Sequence, residues 1–493
     1  MNQVFDIPDF HALLRLHAKA HPDAVAVADG TREICYAQFE ADIEKIARRL
    51  NSHGLPPRTR AVLYITNPYL HWLAIIALWR LGVISASVNN PGEPGLLKLL
   101  RANVLITDHA DLRADGRGVI AIEDDWLDEN QSASADAWPP ASELPFDAQQ
   151  PVRILLSSGT TGLPKKIPYT NAIIAARIKY TLAKYHLGPQ HRFMSVAGAN
   201  TVTGYIDSIT TWAAGGSVAL IDMQEPFDRL FARMRPNLVF MSPAQIAGII
   251  DTLPPDFPHC GLTLIVGGGR LQEAVAQRAM QRLASAIWLL YGSTETGMVA
   301  FSDAPDHTNP EAVWTVVPNA EVKIVDEAGH TLPRGTIGKV CIRGVCCVEF
   351  YLDDAEISRS FFRDGWFYPG DIGTLSEAGQ LSIVGRADDV MNLGGTKVAP
   401  GAIEDLLLSC PGVKDAAVFF MPDGLGTEEL WVAVSASAGD TLQELRRRYQ
   451  ARFPDYPTPH VAFIDAIPRN DMAKVQRKLL RNMVEARLAG KPL

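Results

Sequence analysis

The sequence has no apolar run long enough to cross a membrane. No segment approaches the ~18 consecutive apolar residues that a spanning helix requires, although 47% of the 493 residues are hydrophobic. The first residues, MNQVFDIPDFHALL, also do not show the basic region followed by an apolar core that marks a secretory signal. The composition therefore predicts a globular protein without membrane spans.

Basic residues are in the minority. The 46 lysines and arginines face 55 aspartates and glutamates, which gives a formal net charge of −9. Nucleic-acid binding depends on neutralising phosphates with Lys and Arg, so this balance argues against nucleic acid as a partner. The run RRRYQAR at 446–452 is a local exception. It is either an exposed helix face or a binding patch, and we favour the first.

Cysteine is also scarce. The chain has six cysteines, and their spacing does not match that of a metal site. Cys346 and Cys347 are adjacent in the apolar run GVCCVEF, which predicts packing within a strand. Few cysteines and no disulfide pattern are typical of a reducing compartment, so we expect a cytoplasmic protein.

Helical and strand patterns alternate through the first part of the chain. YAQFEADIEKIARRLNSHGL repeats apolar residues on one helical face and is expected to end at Gly54. VRILLS, LVFM and LTLIVGG are short apolar runs that end in turn residues, as buried strands do. From Asn319 onward, strands between Gly and Pro turns indicate a β-rich part. We predict an α/β fold: a large N-terminal domain (1–387) of mixed and parallel sheets with helices and a β-rich subdomain, and a small mobile α+β C-terminal domain (388–493).

The stretch SSGTTGLPKK directly follows the apolar strand pattern VRILL. Gly159 and Gly162 permit backbone angles that let amide groups converge on an anion. Hydroxyl groups and lysines complete a set that suits a phosphate chain, although the spacing is not that of a Walker A loop. In isolation, the same residues are also compatible with a Ser/Thr-rich surface turn. The side chains concerned are Ser157, Ser158, Thr160, Thr161, Lys165 and Lys166.

With the motifs that follow it, this loop resembles the phosphate loop of the adenylate-forming enzymes, which comprise acyl-CoA synthetases, peptide-synthetase adenylation domains and firefly luciferase. Similar motifs occur in the family's order along the whole chain: VGGGR at 266–270, YGSTETG at 291–297, GWFYPGDIG at 365–373, GRADDVMNLGGTKVAPGAIE at 385–404 and PRNDMAKVQRKLLR at 468–481. Lys166 and Ala473 stand where the family has glycine, and Pro369 stands where it has threonine.

The resemblance implies that ATP and Mg²⁺ activate a carboxylic acid. Lys474 would bridge the carboxylate and the α-phosphate, Thr294 would donate to the α-phosphate, and Glu295 would hold Mg²⁺. Asp371 would accept from the ribose hydroxyls with assistance from Arg386. The other residues that the resemblance assigns to the nucleotide, with Tyr291 stacking on adenine, are Ser157, Ser158, Gly159, Thr160, Thr161, Gly162, Lys165, Gly268, Gly269, Arg270, Tyr291, Gly292 and Ser293.

The resemblance also implies a second half-reaction. Asp388 occupies the hinge position, about which the small domain would rotate between adenylation and thioester formation. Gly394 and Gly395 would let a phosphopantetheine arm pass close to the backbone. The alternative is that LGG is only a turn at the end of a strand.

The family builds part of its acid pocket from the segment that reads AGANTVTGYIDSITTWAAGG here. Counting back from Gly215, Thr201 stands where many acyl-CoA synthetases carry histidine, and Val202 where amino-acid-activating domains carry aspartate. An apolar residue would leave a buried ammonium unpaired, so α-amino acids are disfavoured. Asp207 either faces the pocket, where it would recognise a hydroxyl or amino group, or lies at the helix surface. Aryl, cinnamoyl-like and medium-chain acids all remain open.

Three functions are compatible with these motifs. The preferred one is acyl-AMP formation followed by transfer to coenzyme A. The second is a stand-alone adenylation enzyme that loads the phosphopantetheine of a carrier protein in trans. The third is an inactive nucleotide-binding regulator, against which the joint presence of Lys474, Glu295, Asp371 and Arg386 argues. A small carboxylic acid is the expected partner, and a homodimer is left open.

Overall fold

The computed structural model describes most of the chain. The described residues are 9–30, 32–90, 92, 95–109, 111–112, 116–128, 147–157, 164–221, 225–302, 314–387, 391–393, 396–398, 400–422, 428–436, 441–454, 456–469 and 475–488. Within these ranges, no helix combines the length and the apolar character that crossing a membrane would require.

The described helices are mostly of two to five turns, with a short 3₁₀ helix at Asp124–Leu127. The α-helices are α1 (Phe10–Ala20), α2 (Tyr36–Ser52), α3 (Pro68–Arg80), α4 (Leu96–Leu99), α5 (Asn171–Tyr185), α6 (Val202–Ala213), α7 (Phe227–Met234), α8 (Pro243–Thr252), α9 (Glu273–Arg282), α10 (Ala355–Phe361), α11 (Pro400–Leu408), α12 (Thr441–Arg452) and α13 (Arg477–Leu488).

The described strands are short, as expected for the apolar runs between turn residues. They are β1 (Val25–Asp29), β2 (Arg32–Cys35), β3 (Arg60–Tyr64), β4 (Ile84–Ser87), β5 (Val104–Thr107), β6 (Gly118–Ala121), β7 (Pro151–Ser157), β8 (Lys165–Thr170), β9 (Arg192–Ser195), β10 (Ser217–Leu220), β11 (Leu238–Met241), β12 (Leu262–Val266), β13 (Ala284–Ser293), β14 (Gly297–Ser302), β15 (Trp314–Val316), β16 (Ala320–Val325), β17 (Gly338–Gly344), β18 (Phe362–Arg363), β19 (Trp366–Phe367), β20 (Asp371–Leu375), β21 (Gln380–Arg386), β22 (Met391–Leu393), β23 (Thr396–Val398), β24 (Val413–Pro422), β25 (Glu428–Ala436) and β26 (His460–Phe463).

A six-stranded sheet with the order β6-β5-β3-β4-β7-β8 carries the glycine-rich segment. Its strands are parallel except for β8, which runs antiparallel to β7. Ser157 is the last residue of β7 and pairs with Lys165, the first residue of β8. The predicted phosphate loop therefore connects the two ends of this strand pair, and residues 158–163 within it lie outside the described part.

A larger sheet changes from parallel to antiparallel pairing at one point. Strands β10, β9, β11, β12 and β13 are parallel neighbours, whereas β13 and β14 are antiparallel. The β-rich part predicted after Asn319 continues this sheet through β15, β21, β20 and β17. The segment YGSTETG spans the end of β13, the following turn and the first residue of β14, so this motif lies where the sheet changes from parallel to antiparallel pairing.

Helices α2, α3 and α6 share one hydrophobic cluster with strands of both sheets. The predicted face of α2 is confirmed, because Phe39, Ile43 and Ile46 are fully buried. Helix α3 is apolar on nearly all sides and begins with Asn67 as its N-cap and Pro68 in its first turn. A helix without a polar face has to be covered all round, and the position between two sheets provides this.

The last part of the chain has its own sheet, β24-β25-β26. Helices α11, α12 and α13 pack on it, and two hydrophobic clusters lie entirely within this part. The predicted α/β fold class, with its β-rich part and α+β C-terminal part, is confirmed. Asp388 lies outside the described residues, so the boundary between residues 387 and 388 stays a prediction.

The expectation that Cys346 and Cys347 pack within a strand is wrong. Strand β17 ends at Gly344, and both cysteines follow it in a turn and loop. The carbonyl group of Cys346 accepts hydrogen bonds from the buried side chain of Arg177, and its Sγ accepts one from Asn319. The apolar run around Cys346 and Cys347 is therefore explained by burial next to Arg177 and Asn319 and not by a strand.

Candidate functional site

The end of β13 and the turn that leads to β14 contain the predicted residues Gly292 to Glu295. A Cβ atom on Gly292 would lie 2.0 Å from the carbonyl oxygen of Gly297, so only glycine fits this close crossing. Thr296 closes the turn, because its Oγ1 accepts from the amide of Ser293 at 3.0 Å. The turn therefore presents Thr294 and Glu295 in a fixed geometry.

Arg177 on α5 supports this turn, and the sequence analysis missed it. Its buried guanidinium donates to the carbonyl oxygens of Thr294, Glu295 and Cys346 at 2.9–3.1 Å and to the hydroxyl of Tyr169. An arginine suits this position, because its planar group has five donors in a rigid arrangement. An arginine within the otherwise apolar run IIAARI (173–178) is the signal that could have revealed it.

Glu295 is held by a second residue that the motifs do not indicate. The hydroxyl of Tyr351 donates to Oε1 of Glu295 at 2.8 Å, and only 7% of Glu295 is exposed. Burial and the charge of Glu295 raise the pKa of Tyr351 well above its usual value, so the phenol remains a donor. Glu295 is thus oriented by a neutral partner, which leaves its negative charge available to a cation.

Lys165 and Lys166 have separate roles. The Nζ atom of Lys165 lies 3.4 Å from the ring centroid of Phe361 and 5.3 Å from that of Tyr351, the partner of Glu295. Lys166 is buried, and its Nζ lies 2.9 Å from Oδ2 of Asp353 and 2.8 Å from the carbonyl of Leu99. The lysine that replaces the family's glycine is therefore part of an internal ion pair.

Three cationic side chains form ion pairs with Asp353. Besides Lys166, it pairs with Arg60 at 2.6 Å and with Arg101 at 3.1 Å, and its side chain is 9% exposed. The hydrogen bond from Arg60 is the main cause that holds the pKa of Asp353 far below its usual value. Its backbone φ of 59° is in the left-handed region. This cluster fixes the start of β8 to the segment that carries Tyr351.

Asp371 accepts hydrogen bonds from two other residues predicted for the nucleotide site, Tyr291 and Arg386. The hydroxyl of Tyr291 donates to its Oδ2 at 2.6 Å, and Nη1 of Arg386 donates to its Oδ1 at 3.1 Å. Strand pairing makes this possible, because Asp371 on β20 lies directly opposite Arg386 on β21. Burial and the charge of Asp371 raise the pKa of Tyr291, and Arg386 opposes both effects.

The residues present fit a nucleotide and a magnesium ion. A carboxylate accepts about four hydrogen bonds, and Asp371 uses two of them within the protein, so it can accept from two ribose hydroxyls. Mg²⁺ is commonly held by one or two carboxylates together with phosphate oxygens. Among the described residues there is no group of three or more His, Cys, Asp or Glu side chains that could hold a metal ion.

The VGGGR segment follows β12. Gly268 has a φ of 81°, which favours glycine, and there is open space beside it, whereas a Cβ atom on Gly269 would lie 3.7 Å from the ring of Pro243. Nη1 of Arg270 lies 2.7 Å from Oδ2 of Asp405 on α11, close enough for an ion pair although the angle is not that of a hydrogen bond. Burial raises the pKa of Asp405 to about 6, and Arg270 opposes this shift. The predicted adenine loop therefore contacts the C-terminal part of the chain.

Of the residues predicted to line the acid pocket, Thr201 and Val202 lie at the beginning of α6 and Asp207 lies near its middle. Thr201 is its N-cap: its Oγ1 accepts from the amide of Gly204 and donates to the carbonyl of Gly198. Val202 is the first residue of the helix and is half-buried. Asp207 is 5% exposed and not at the helix surface, and its Oδ2 has no hydrogen-bond partner among the described residues. Burial raises the pKa of this carboxyl well above its usual value.

Several predicted residues lie outside the described part of the chain. They belong to the phosphate loop, the hinge, the thiol passage and the catalytic lysine, and their assignments stay predictions: Ser158, Gly159, Thr160, Thr161, Gly162, Asp388, Gly394, Gly395 and Lys474.

Comparison with known proteins finds matches to family models, to relatives in sequence and to solved structures. The family model of the AMP-binding enzymes matches residues 14–352, and that of the AMP-binding enzyme C-terminal domain matches residues 402–474. The chain is 26% identical to 4-coumarate–CoA ligase 4 of Arabidopsis thaliana over 93% of this chain and 88% of the relative. It is 26% identical to enterobactin synthase component E of Escherichia coli over 98% of this chain and 96% of the relative. The anthranilate CoA ligase AuaEII, in complex with anthranoyl-AMP, superimposes with a TM-score of 0.85, at 21% identity and covering 98% of both chains.

The two family models together place the chain among the adenylate-forming enzymes. The chain belongs to the AMP-binding enzyme family, whose model covers more than half of its length, and it is an AMP-forming acid–thiol ligase. The resemblance inferred from the motifs is thereby confirmed.

Tyr351→Phe tests the support of Glu295. Removal of the hydroxyl leaves Glu295 without its donor, and one hydrogen bond to a charged group contributes about 1.5–3 kcal/mol. We expect the Mg²⁺ concentration for half-maximal activity to rise about tenfold, with a smaller change in the rate at saturating Mg²⁺. Tyr449→Phe, which removes a partly buried hydroxyl bonded to the carbonyl of Pro457 in the C-terminal part, is the control. An unchanged Mg²⁺ dependence of Tyr351→Phe would contradict the positioning role.

Proposed function

We propose that the protein joins a carboxylic acid to AMP and then transfers the acyl group to the thiol of coenzyme A. In the first step a carboxylate oxygen attacks the α-phosphorus of ATP, and the bond to pyrophosphate breaks. In the second step the thiol attacks the acyl carbon, a C–S bond forms and AMP leaves. Mg²⁺ would supply neutralisation of the phosphate charge during the first step.

The observation that carries this proposal is the pair of carboxylates, Glu295 and Asp371, each held by a tyrosine hydroxyl. Tyr291, which bonds Asp371, lies on β13, and Glu295 is in the turn directly after that strand. One carboxylate suited to ribose and one suited to a cation therefore share a neighbourhood. Such positioning is what an adenylation reaction requires, because its barrier is lowered mainly by orientation and by stabilisation of charge.

The remaining assignments complete the proposal. Residues 1–387 form the adenylation domain, and residues 388–493 form a mobile domain that rotates about Asp388 and brings in Lys474. Gly394 and Gly395 admit the phosphopantetheine arm. Thr201 and Val202 border the acid near the beginning of α6. We expect the enzyme to act in the cytoplasm, alone or as a homodimer.

Coenzyme A is the acceptor that we favour, since relatives such as 4-coumarate–CoA ligase 4 carry it in their names. The second candidate is a carrier protein in trans. It is supported by similarity over nearly the whole chain to a protein named as a synthase component, enterobactin synthase component E. An inactive regulator is the third, and the intact Glu295 and Asp371 contacts argue against it.

Pyrophosphate release tests the proposal. ATP and Mg²⁺ are supplied with a panel of aryl, cinnamoyl, fatty and amino acids, with and without coenzyme A. We expect one class of acid to give turnover that rises at least tenfold when coenzyme A is added. Acid-dependent exchange that ignores coenzyme A would favour a carrier protein, and no release with any acid would favour the regulator.

A further inference from the structure

The basic run at 446–452 lies in α12, and its first arginines have different surroundings. Arg447 and Arg448 both pair with Glu444, at 2.7 and 2.6 Å. The exposed Arg446 has no carboxylate partner among the residues that the structure describes. At about 100° per residue, Arg446 lies about 160° around the helix from Glu444, so the two side chains do not meet. The run therefore contains a cation that its own helix does not neutralise.

A cavity of about 200 Å³ lies beside Arg446. This C-terminal cavity is bordered by α11, α12, β25 and β26. It opens to solvent at a rim that includes Arg446 and Gln450, both exposed and one turn apart on α12. Buried side chains from one hydrophobic cluster of the C-terminal part form the interior of the cavity: Leu407, Val432, Leu445 and Tyr449.

The chemistry of the cavity differs between its interior and its rim. The hydroxyl of Tyr449 donates to the carbonyl oxygen of Pro457 at 2.8 Å, so this residue contributes its ring to the interior. Among the described residues that line the cavity, only Arg446 is charged. The two arginines that follow it pair with Glu444 on the side of α12 away from the cavity. An apolar interior with one cation at its rim is complementary to a molecule with an apolar body and one negative charge.

We propose that the C-terminal cavity binds a small organic carboxylate, with one aromatic ring or a short alkyl chain in the interior and the carboxylate group at Arg446. An apolar cavity of roughly 150 Å³ is large enough to take up benzene, so the space beside Arg446 holds one ring. A guanidinium binds a carboxylate through charge-assisted hydrogen bonds, often two in parallel. The site is separate from the contacts of Glu295 and Asp371, and it does not depend on the proposed function.

Helix α11 relates the cavity to the rest of the molecule. Leu407 lines the cavity, and Asp405 on the same helix lies 2.7 Å from Arg270 of the VGGGR segment. Residues two positions apart lie about 160° from each other around a helix, so these two side chains are on nearly opposite sides of α11. A carboxylate in the cavity therefore packs against a helix that contacts the N-terminal part, a position from which it can influence that contact.

Fluorine NMR of the whole chain with 4-fluorobenzoate tests the proposal, and 4-fluorotoluene is the uncharged probe. Arg446→Gln removes the charge at the rim, and Gln450→Trp blocks the rim from an exposed position. Arg447→Gln removes the same charge from the other side of α12 and is the matched control. We expect the affinity for 4-fluorobenzoate to fall at least tenfold in Arg446→Gln and to be lost in Gln450→Trp, with less than a twofold change in the control. The affinity for 4-fluorotoluene should be unchanged in Arg446→Gln.

Hydrogen exchange with mass spectrometry locates the bound probe. We expect 4-fluorobenzoate to slow the exchange of backbone amides in α12 and β26, and this protection should be absent in Gln450→Trp. Equal losses of affinity in Arg446→Gln and Arg447→Gln would show general attraction by the basic helix and overturn the proposal. Binding that is the same in all variants, protection confined to the N-terminal part, or no binding up to about 10 mM would also overturn it. Acid activation is judged separately, by pyrophosphate release.

Discussion

Lys474→Ala lowers the rate of acyl-adenylate formation by about 10²–10³-fold, the usual cost of removing one group that stabilises charge in a transition state. The attacking carboxylate, the α-phosphate and the departing pyrophosphate are all negative, so a single ammonium between them has a large effect. Lys474 lies outside the described residues, and its role rests on the motif PRNDMAKVQRKLLR. Acid-dependent pyrophosphate release is the measurement.

Its control is Lys478→Ala. Lys478 is exposed at the beginning of α13, four residues from Lys474 in the same basic segment, and its removal should leave the rate unchanged. The affinity of Lys474→Ala for ATP, measured by calorimetry, should remain within about threefold, because the ammonium acts mainly in the transition state. A rate within threefold of the wild type would remove Lys474 from the mechanism.

Asp353→Ala destabilises the protein by about 3–5 kcal/mol, because it leaves Lys166 buried without its counter-charge. Arg60 loses the same partner at 2.6 Å. Urea unfolding at pH 7 measures the loss. The lowered pKa of Asp353 means that the contribution is present above its unfolded pKa of ~3.9 and disappears only as the pH falls through the lower value of the folded protein.

Two variants make this prediction specific. Glu321→Ala breaks an ion pair with Arg343 whose two side chains are 62% and 47% exposed, and should leave the free energy of unfolding nearly unchanged, because solvent screens exposed pairs. Lys166→Gly restores the family's residue at that position and should relieve much of the cost of Asp353→Ala in the double variant. A double variant no more stable than Asp353→Ala would show that Lys166 is not the residue left unpaired.

The sequence predicted local elements well. The apolar face of α2 and the short strands β7, β11 and β12 were recognisable, because periodicity and turn residues act over a few neighbours. The motif YGSTETG was also recognisable, and Gly292 is required within it by a close crossing of two strands. These features depend on residues close in sequence, which a pattern can contain.

The supports of the site could not be predicted in the same way. Arg177 bonds Glu295 from 118 positions away, Tyr351 does so from 56, and Lys166 pairs with Asp353 across 187. A local pattern carries no information on such partners. Thr201 shows the complementary limit: its position in the acid segment was recognisable, but the use of its hydroxyl as an N-cap depends on how α6 begins. The roles of the site residues stay predictions until they are tested.

The contact between Arg270 and Asp405 couples two events that the reaction keeps separate. Arg270 belongs to the loop assigned to adenine, and Asp405 to the C-terminal part that is proposed to rotate. If a nucleotide engages this guanidinium, it competes with the carboxylate for it. By reciprocity, the nucleotide loosens the C-terminal part by the same factor by which that part weakens nucleotide binding. Release of AMP and return of the C-terminal part would then be governed by one coupled equilibrium.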